Sequence, residues 1–389
     1  MTIELQFATQ EKISTVFSGD DEKQQLLGLA KTHGTPLFVI RENKLIKQYQ
    51  AIKKALPNVT MHYAIKALAD KNVLKSLNSQ GCSFDIATNG EIELLKECDI
   101  KANKCIHTHP IKKHEDIQGA LDYGCNIFVV DNMIELEKFS AYKDVAEIII
   151  RIKFSNHSAV VDLGKKFGCE IHDLELMIEK ANELGIKVVG LSFHIGSQTV
   201  FPTAHGEAVK HSIQLLKKFN QVDWKILDIG GGFPIEYDSS VLDIYSYCEP
   251  VREALKLVPK NIRVIAEPGR YLVGPIAQHV ISIVGKSKRD DKVWYYADDG
   301  LYGAFSGQLF DHAKYPLTVL NDNYDNDVHY PSVVAGPTCD SIDVIDEEIM
   351  LPDLQVGDLL LAEQIGAYSV ASSTEFNLCK RPKTVFIEK

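Results

Sequence analysis

The chain has 389 residues, more than one hydrophobic core usually spans, so we expect two domains. Its formal net charge of −11 argues against a nucleic-acid partner, because an acidic surface repels polyphosphate, and its 45% hydrophobic residues indicate an ordinary globular protein. No apolar run is long enough to span a membrane, and the eight cysteines include no Cys-x-x-Cys pair, so we expect a cytoplasmic protein with reduced thiols.

Short apolar runs alternate with helical patterns from about residue 36 to about residue 275. The predicted strands are 59–65, 83–86, 104–107, 127–130, 147–152, 188–193, 225–229 and 263–266. Helical patterns separate most of them; one is capped by Asp70, and others begin at Leu174 and cover 242–257. Eight strands with intervening helices predict a (β/α)8 barrel over residues 36–275, and an open, doubly wound sheet is the alternative.

The pattern changes after about residue 275, where helical periodicity is mostly lost. Apolar runs of the β type, split by turns, begin at Gln278, Val293, Ser332 and Asp358. They predict a second, β-rich domain over residues 276–389. Residues 1–35 are expected to join this domain, because we interpret Pro36-Leu-Phe-Val-Ile as the segment that leads into the barrel.

Polar residues gather where the predicted barrel strands end, which is where barrels of this type place their chemistry. These positions are Lys66, Asp85, Arg151, His194, Gly230–Gly232 and the segment Glu267-Pro-Gly-Arg270. Lys66 is the most informative of them. A partly desolvated lysine there can lose its proton and form an imine with a carbonyl cofactor, whereas most lysines at strand ends only extend into water.

The segment Asp228-Ile-Gly-Gly-Gly-Phe-Pro can bring backbone N–H groups close to an anion, although a tight turn alone would also require glycines. Arg270 can add a charged donor to the same phosphate. Glu267 can keep a pyridine nitrogen protonated, and a surface ion pair with Arg270 is its alternative role. These residues suit a phosphorylated cofactor with a nitrogen-containing ring.

His194 can stack its flat ring on an aromatic cofactor, and a hydrogen-bonded core histidine is the alternative. Ser197 can give a hydroxyl group to a phosphate. His107 and His109 have the spacing of metal ligands, but no third ligand is evident, so we expect no metal.

The second domain carries the turn Gly336-Pro-Thr-Cys-Asp, which would present Cys339 beside Asp340, a proton donor next to an anion. A buried thiol beside a helix-capping aspartate is the plain alternative. Asp311 is a second candidate anion for the cationic end of a substrate, or another helix cap.

Together these segments resemble the fold-type III pyridoxal-phosphate-dependent amino-acid decarboxylases, and within them the ornithine decarboxylases. The matching segments are Tyr63-Ala-Ile-Lys-Ala, Phe84-Asp-Ile-Ala, Ser192-Phe-His-Ile-Gly-Ser, Asp228-Ile-Gly-Gly-Gly-Phe-Pro, Glu267-Pro-Gly-Arg-Tyr, Asp299-Gly-Leu-Tyr-Gly-Ala-Phe, Gly336-Pro-Thr-Cys-Asp and Gly366-Ala-Tyr. They run in the family's order and cover nearly the whole chain, so the set is far more specific than any one member.

The resemblance implies that Lys66 binds pyridoxal phosphate covalently and that Glu267 pairs with the pyridine nitrogen. His194 would stack on the ring, and Asp85 and Arg151 would lie close to the ring and its hydroxyl side. The groups that would hold the phosphate are Ser197, the Gly230, Gly231 and Gly232 backbone, Gly269, Arg270 and Tyr368.

The resemblance also implies a homodimer with shared active sites. Cys339 and Asp340 would enter the partner subunit's site, with Cys339 as the proton donor. Asp311 and Asp340 would bind the distal ammonium group of a diamino acid. Lys166 and Asp343 match positions that pair across the family's dimer interface.

The implied reaction is decarboxylation of L-ornithine to putrescine, a step of polyamine biosynthesis. L-Lysine, giving cadaverine, stays open as a substrate because one methylene changes pocket energetics by only about 1–3 kcal/mol. Phe310 stands where eukaryotic relatives usually carry tyrosine, so the far end of the substrate can be held differently. The alternatives are a decarboxylase of diaminopimelate, arginine or carboxynorspermidine, a non-catalytic regulator of the same fold, and a Schiff-base aldolase barrel.

Overall fold

The structure is a computed structural model that describes residues 12–14, 19–154, 159–161, 163–237, 241–321, 324 and 328–389. The chain forms two compact units. The barrel unit comprises Ile46–Ile235 and Val241–Leu272, and the β unit comprises Met1–Leu45, Glu236–Ser240 and Val273–Lys389.

The helices are α1 (Gly19–His33), α2 (Glu42–Ala55), α3 (Lys71–Ser79), α4 (Asn89–Glu97), α5 (His114–Tyr123), α6 (Met133–Lys138), α7 (Ile171–Leu184), α8 (Pro202–Lys218), α9 (Ile244–Tyr247), α10 (Glu249–Leu255), α11 (Arg270–Val273) and α12 (Gly307–Asp311). The strands are β1 (Lys12–Ser14), β2 (Leu37–Arg41), β3 (Val59–Ala64), β4 (Ser83–Ile86), β5 (Cys105–His107), β6 (Ile127–Val130), β7 (Glu147–Ile152), β8 (Ala159–Val161), β9 (Lys187–Phe193), β10 (Ser197–Thr199), β11 (Ile226–Asp228), β12 (Arg263–Ala266), β13 (Ala277–Arg289), β14 (Lys292–Ala297), β15 (Leu317–Val319), β16 (Tyr330–Ala335), β17 (Val344–Leu351), β18 (Leu359–Ala362) and β19 (Lys383–Glu388). None of these helices is both long and apolar enough to cross a membrane.

Eight parallel strands of the barrel unit close on themselves in the order β11-β12-β3-β4-β5-β6-β7-β9. Closure is complete because β12 pairs with β3 and β11 pairs with β9. The predicted (β/α)8 barrel is therefore confirmed, and the open, doubly wound alternative is wrong. All eight strands coincide with the predicted runs to within one residue at either end.

Branched apolar side chains fill the barrel below its mouth. One cluster takes a buried residue from each of six strands: Ile106, Val129, Ile149, Val189, Ile226 and Ile265. Because side chains alternate along a strand, the residues two positions beyond Ile149, Ile226 and Ile265 also face the interior, nearer the C-terminal ends. The closed barrel thus determines which polar residues can meet at its mouth.

The helix α3 shows how the sequence pattern produces the outer layer. Asp70 caps it, and its carboxylate accepts hydrogen bonds from the backbone of Asn72 at 2.8 Å and Val73 at 3.1 Å. Val73, Leu74 and Leu77 are buried, as the helical spacing predicts. The predicted helix over 242–257 is instead split into α9 and α10, with Pro250 in the first turn of α10.

The β unit is built on a nine-stranded sheet with the order β1-β19-β2-β13-β14-β16-β17, to which β15 and β18 add through β13. Its longest strand, β13, has 13 residues and pairs with β2, β18 and β14. The expected β-rich domain is confirmed by this sheet.

One placement in this region is wrong. The strand β2 pairs with β13 and β19, so it belongs to the β unit and does not lead into the barrel. All five residues of β2 are buried. A fully buried strand has the same continuous apolar pattern in either sheet, so the pattern could not distinguish the two.

Candidate active site

Lys66 lies in a short 3-10 turn, Ile65–Ala67, directly after β3. Its Nζ donates a hydrogen bond to Oδ2 of Asp85 at 2.7 Å. The Asp85 side chain is only 1% exposed, whereas that of Lys66 is 48% exposed. The amine is thus held at the mouth of the barrel by a buried carboxylate and remains accessible from outside.

Asp85 has a second partner that the sequence analysis missed. Its Oδ1 accepts a hydrogen bond from the hydroxyl group of Thr108, which follows β5 and is buried. Thr108 is the first residue after a barrel strand, so a search for polar residues at the strand ends could have found it. His107 and His109, on either side of it, have the more conspicuous metal-ligand spacing.

Three polar residues meet on the interior face of the mouth. The strand register places Arg151 beside Ser192 and Ser192 beside Asp228. Glu267 lies two residues beyond Ile265, which pairs with Asp228. The mouth therefore brings together a guanidinium group and two carboxyl groups.

Asp228 and Glu267 perturb each other. Burial raises the pKa of Asp228 to about 6, although a hydrogen bond with Glu267 and one from the Gly230 backbone oppose that shift. Burial raises the pKa of Glu267 well above its usual range, and the charges of Asp228 and Asp85 add to the effect. The pair suits a cationic ring nitrogen, which would stabilise both carboxylates.

The turn after β11 needs its three glycines, because neighbouring backbone approaches each of them closely. Gly230 and Gly232 have positive φ angles of 66° and 95°. A Cβ atom on Gly231 would lie 2.6 Å from the carbonyl oxygen of Glu267, so a larger residue would force the turn or its neighbour to shift. The Glu267 backbone N–H also donates to the Gly230 carbonyl at 2.8 Å, which ties this turn to the end of β12.

Arg270 and Ser197 lie together in the barrel unit. A guanidinium Nη2 of Arg270 donates to the Ser197 hydroxyl at 2.9 Å, and Arg270 is 5% exposed. A buried guanidinium, a hydroxyl group and a glycine backbone are the donors that a phosphate group requires. Gly269 directly precedes Arg270 and is also buried.

His194 follows β9 as a neutral ring. Its Nδ1 accepts a hydrogen bond from the Gly196 backbone at 3.0 Å, so its proton is on Nε2. Burial lowers the pKa of His194 well below its usual range, and the charges of Arg151 and Lys66 lower it further. An uncharged, flat ring is suited to stacking on an aromatic cofactor, and that contact stays a prediction.

Cys339 and Asp340 lie on an exposed turn of the β unit. The Cys339 backbone N–H donates to Oδ1 of Asn377 at 3.0 Å. The Asp340 carboxylate accepts a hydrogen bond from the hydroxyl group of Tyr302, and this bond lowers the pKa of Asp340. Cys339 is exposed, so the alternative of a buried thiol is wrong.

Asp343 shapes this turn from within the same chain. It is buried, and its carboxylate accepts the backbone N–H groups of Leu301 at 2.7 Å and Thr338 at 3.0 Å, together with the Thr338 hydroxyl at 2.6 Å. These bonds hold the segment that presents Cys339. Asp343, which the family resemblance matches to an interface position, thus also has a structural role within its own chain.

Asp311 ends α12 and is half-buried, and the exposed Phe310 precedes it. Tyr368 is half-buried and has a positive φ of 54°. The structure thus brings the predicted barrel residues together around one mouth. The participation of Cys339, Asp340, Asp311 and Tyr368 in that site stays a prediction.

These observations define a class of protein. A (β/α)8 barrel with a lysine amine, a donor set for phosphate and an acid pair at its mouth fits a phosphorylated aldehyde cofactor with a ring nitrogen. The family model for the pyridoxal-binding domain of pyridoxal-dependent decarboxylases matches residues 42–274.

Known proteins are similar along nearly the whole chain. Two solved structures of lysine/ornithine decarboxylase from Vibrio vulnificus, complexed with putrescine and with cadaverine, are 44% and 43% identical, with TM-scores of 0.88 and 0.90. The matches cover 95% and 97% of this chain, and 98% and 99% of theirs. A lysine/ornithine decarboxylase from Selenomonas ruminantium is 32% identical over 94% of this chain and 93% of its own length. The chain therefore belongs to the pyridoxal-dependent decarboxylases, and its cofactor is pyridoxal phosphate.

Proposed function

We propose that this protein decarboxylates L-ornithine to putrescine, and that it also accepts L-lysine and releases cadaverine. The observation that carries the proposal is the barrel mouth, where Lys66 is held by Asp85 in the same unit as the Arg270–Ser197 pair. The Vibrio vulnificus structures contain putrescine and cadaverine, which supports both substrates.

The residues divide the work between binding and proton transfer. Pyridoxal phosphate supplies an aldehyde that joins amino groups and a ring that takes up the electron pair left when carbon dioxide departs. Lys66 anchors the cofactor through Nζ, and Arg270, Ser197 and the Gly231 backbone bind the phosphate. Glu267 would hold a proton at the ring nitrogen, and the neutral ring of His194 would stack on the cofactor ring.

Cys339 and Asp340 complete the site from the partner subunit of a homodimer. Breaking the bond between Cα and the carboxylate would release carbon dioxide, and Cys339 would then give its Sγ proton to Cα, where the carboxylate had been. Asp340 and Asp311 bind the distal ammonium group of the substrate. The exposure of Cys339 and the acidity of Asp340 support these roles.

Pairs of acidic side chains favour a cationic substrate end over a carboxylate, so diaminopimelate is a poor fit. A non-catalytic regulator would not need both Lys66 and Cys339. Arginine and carboxynorspermidine are the remaining alternatives, and a substrate panel separates them from ornithine and lysine.

The test combines spectroscopy with turnover. Purified protein supplied with pyridoxal phosphate should become yellow, and borohydride should fix the cofactor on Lys66, located by peptide mass spectrometry. Carbon dioxide release should be fastest with ornithine or lysine. A colourless protein would refute cofactor binding at Lys66, and a strong preference for diaminopimelate would refute the role of Asp311.

A further inference from the structure

Thr108 is the first residue after β5 and lies beside the end of β4, the strand that carries Asp85. Its side chain is buried, with the residue 6% exposed. Its backbone N–H donates to the Ile86 carbonyl at 3.0 Å, which continues the pairing between β4 and β5. Its hydroxyl group donates to Asp85 Oδ1. The backbone hydrogen bond therefore fixes the position of Thr108, and its hydroxyl group points at Oδ1 of Asp85.

The two oxygens of Asp85 have different partners. Oδ1 accepts from Thr108, and Oδ2 accepts from Lys66 Nζ at 2.7 Å. Because both oxygens are engaged, the plane of the carboxylate cannot turn without losing a bond. A hydroxyl group carries no charge, so it orients Asp85 without competing for the ammonium group of Lys66.

We propose that Thr108 is a positioning residue that holds Asp85 against Lys66. The inference deepens the proposed function and rests on it for its catalytic consequence. A role for Thr108 in packing alone is the alternative, because a buried β-branched residue also fills space.

The loop that carries Thr108 is braced by Lys112, whose side chain is 0% exposed. Its Nζ donates to the backbone carbonyls of His109 at 2.9 Å, Pro110 at 3.0 Å and Val129 at 2.6 Å. Glu135 lies 3.3 Å from the same Nζ and also accepts the Lys112 backbone N–H at 2.9 Å.

Burying the charged amine of Lys112 costs free energy, and its hydrogen-bond partners offset that cost only in this geometry. Burial lowers the pKa of Lys112 to about 8, and the charge of Glu135 and its hydrogen bond oppose the shift. A buried ammonium group with three carbonyl partners cannot move without leaving them unsatisfied. The brace thus fixes the backbone that positions the Thr108 hydroxyl.

The test measures the reactivity of Lys66 in the protein without added cofactor. Wild type, Thr108→Val and Thr108→Ser are exposed to trace acetic anhydride at pH 8, and labelled peptides are quantified. Valine keeps the shape of threonine and removes the donor, whereas serine keeps the donor. Lys71, which pairs with Glu97 at 2.6 Å on the surface, is the internal control.

We expect Lys66 to be labelled about tenfold faster in Thr108→Val, because a loosened carboxylate stabilises the ammonium form less. Thr108→Ser should remain within about twofold of wild type, and Lys71 should not change. In the enzyme loaded with pyridoxal phosphate, Thr108→Val should lower kcat about tenfold and leave the amino-acid KM unchanged.

Equal labelling of Lys66 in Thr108→Val and wild type would overturn the inference. Equal changes in the serine and valine variants would assign Thr108 to packing, which also overturns it. If the valine variant does not fold, Thr108→Ala carries the same expectation, because it too lacks the donor. Labelling needs no turnover, so a protein that shows the Lys66 effect without releasing carbon dioxide would refute only the proposed function.

Discussion

Asp228 and Glu267 are hydrogen-bonded to each other inside the barrel mouth, and the pKa of each carboxyl group is raised above its usual value. Burial is the largest cause for both, and mutual repulsion adds to it in Glu267. A raised pKa means that the folded protein binds protons that the unfolded chain releases. For Asp228, stability therefore falls as pH rises from about 4 to about 6. At neutral pH this pair of buried acids therefore lowers the stability of the folded protein unless a cation binds beside it.

Glu267→Gln should stabilise the protein without cofactor and inactivate the enzyme. Glutamine can still hydrogen-bond to Asp228, but it removes one buried acid, so we expect Tm at pH 7 to rise by about 2 °C. It cannot hold a proton at the ring nitrogen, so kcat should fall about a hundredfold. Calorimetry and carbon dioxide release measure the two effects.

The matched control is Glu253→Gln, because Glu253 is exposed and pairs across one helical turn with Lys256. It should change neither Tm nor kcat. A lower Tm for Glu267→Gln, with the control unchanged, would contradict the repulsion between Asp228 and Glu267.

Gly231→Ala should weaken cofactor binding. Unlike Gly230 and Gly232, Gly231 does not have a positive φ angle, so its backbone conformation is one that alanine can adopt. The added Cβ would lie 2.6 Å from the Glu267 carbonyl oxygen and 3.2 Å from His194 Nε2. We expect the dissociation constant for pyridoxal phosphate, measured by absorbance titration, to rise at least about tenfold.

Gly28→Ala is the control for this change. Gly28 lies within α1, and a Cβ there would meet no atom within 4 Å. Alanine should stabilise the helix by about 0.5–1 kcal/mol and leave cofactor binding unchanged. Equal cofactor affinity in both variants would refute a phosphate site at Gly231.

The barrel could be predicted because its strands are short apolar runs separated by helices, a pattern that depends only on local sequence. The C-terminal ends of those strands then identified Lys66, Asp85 and Glu267 as neighbours. The same reasoning misplaced β2, because a fully apolar strand carries no mark of the sheet it joins.

Other features depend on contacts that no local pattern encodes. Most lysines are exposed, so the sequence gives no reason to expect Lys112 to be buried. It is buried because three backbone carbonyls and Glu135 surround its amine. Asn377 holds the Cys339 backbone across 38 residues of sequence. Thr108 could have been found as a polar residue directly after a predicted strand, but a threonine is less conspicuous than the histidines on either side of it.

Acid should destabilise the protein through His205. Burial lowers its pKa to about 4, and the hydrogen bond between its Nε2 and the Ile229 carbonyl at 3.0 Å opposes the shift. The unfolded chain takes up this proton below about pH 6.5, so stability is lost as pH falls from there to about 4. The loss is about 3 kcal/mol. His205→Phe should reduce the pH dependence of urea unfolding across that window, and the buried His62, His107 and His194 should retain the rest.

His172→Phe serves as its control, because the His172 side chain is 78% exposed. That variant should keep the pH dependence of wild type. If His205→Phe and wild type lose stability equally on acidification, His205 is not the neutral, buried histidine that the structure shows.

Thiol labelling should divide the cysteines into two groups. Cys339 is exposed and Cys379 partly exposed. The buried cysteines are Cys82, Cys98, Cys105, Cys125, Cys169 and Cys248, and burial raises the pKa of every one of them. A disulfide reagent at pH 8 should modify two thiols in the native protein and all eight after unfolding.

Cys339→Ala and Cys379→Ala should each lower the native count to one. Only Cys339→Ala should lower kcat, by about a hundredfold, because only Cys339 is proposed to donate a proton. Similar losses of activity in both variants would contradict that assignment.

Mixing inactive subunits tests whether two chains share one site. Lys66→Ala and Cys339→Ala should each retain about 1% of full activity or less when alone. After random exchange half of the dimers are mixed, and one of the two sites in each mixed dimer is intact, so about a quarter of full activity should return. Lys66→Ala mixed with Glu267→Gln should regain nothing, because both residues belong to the barrel unit and every barrel would carry a defect. Native mass spectrometry verifies exchange, and recovery in neither mixture would refute a shared site.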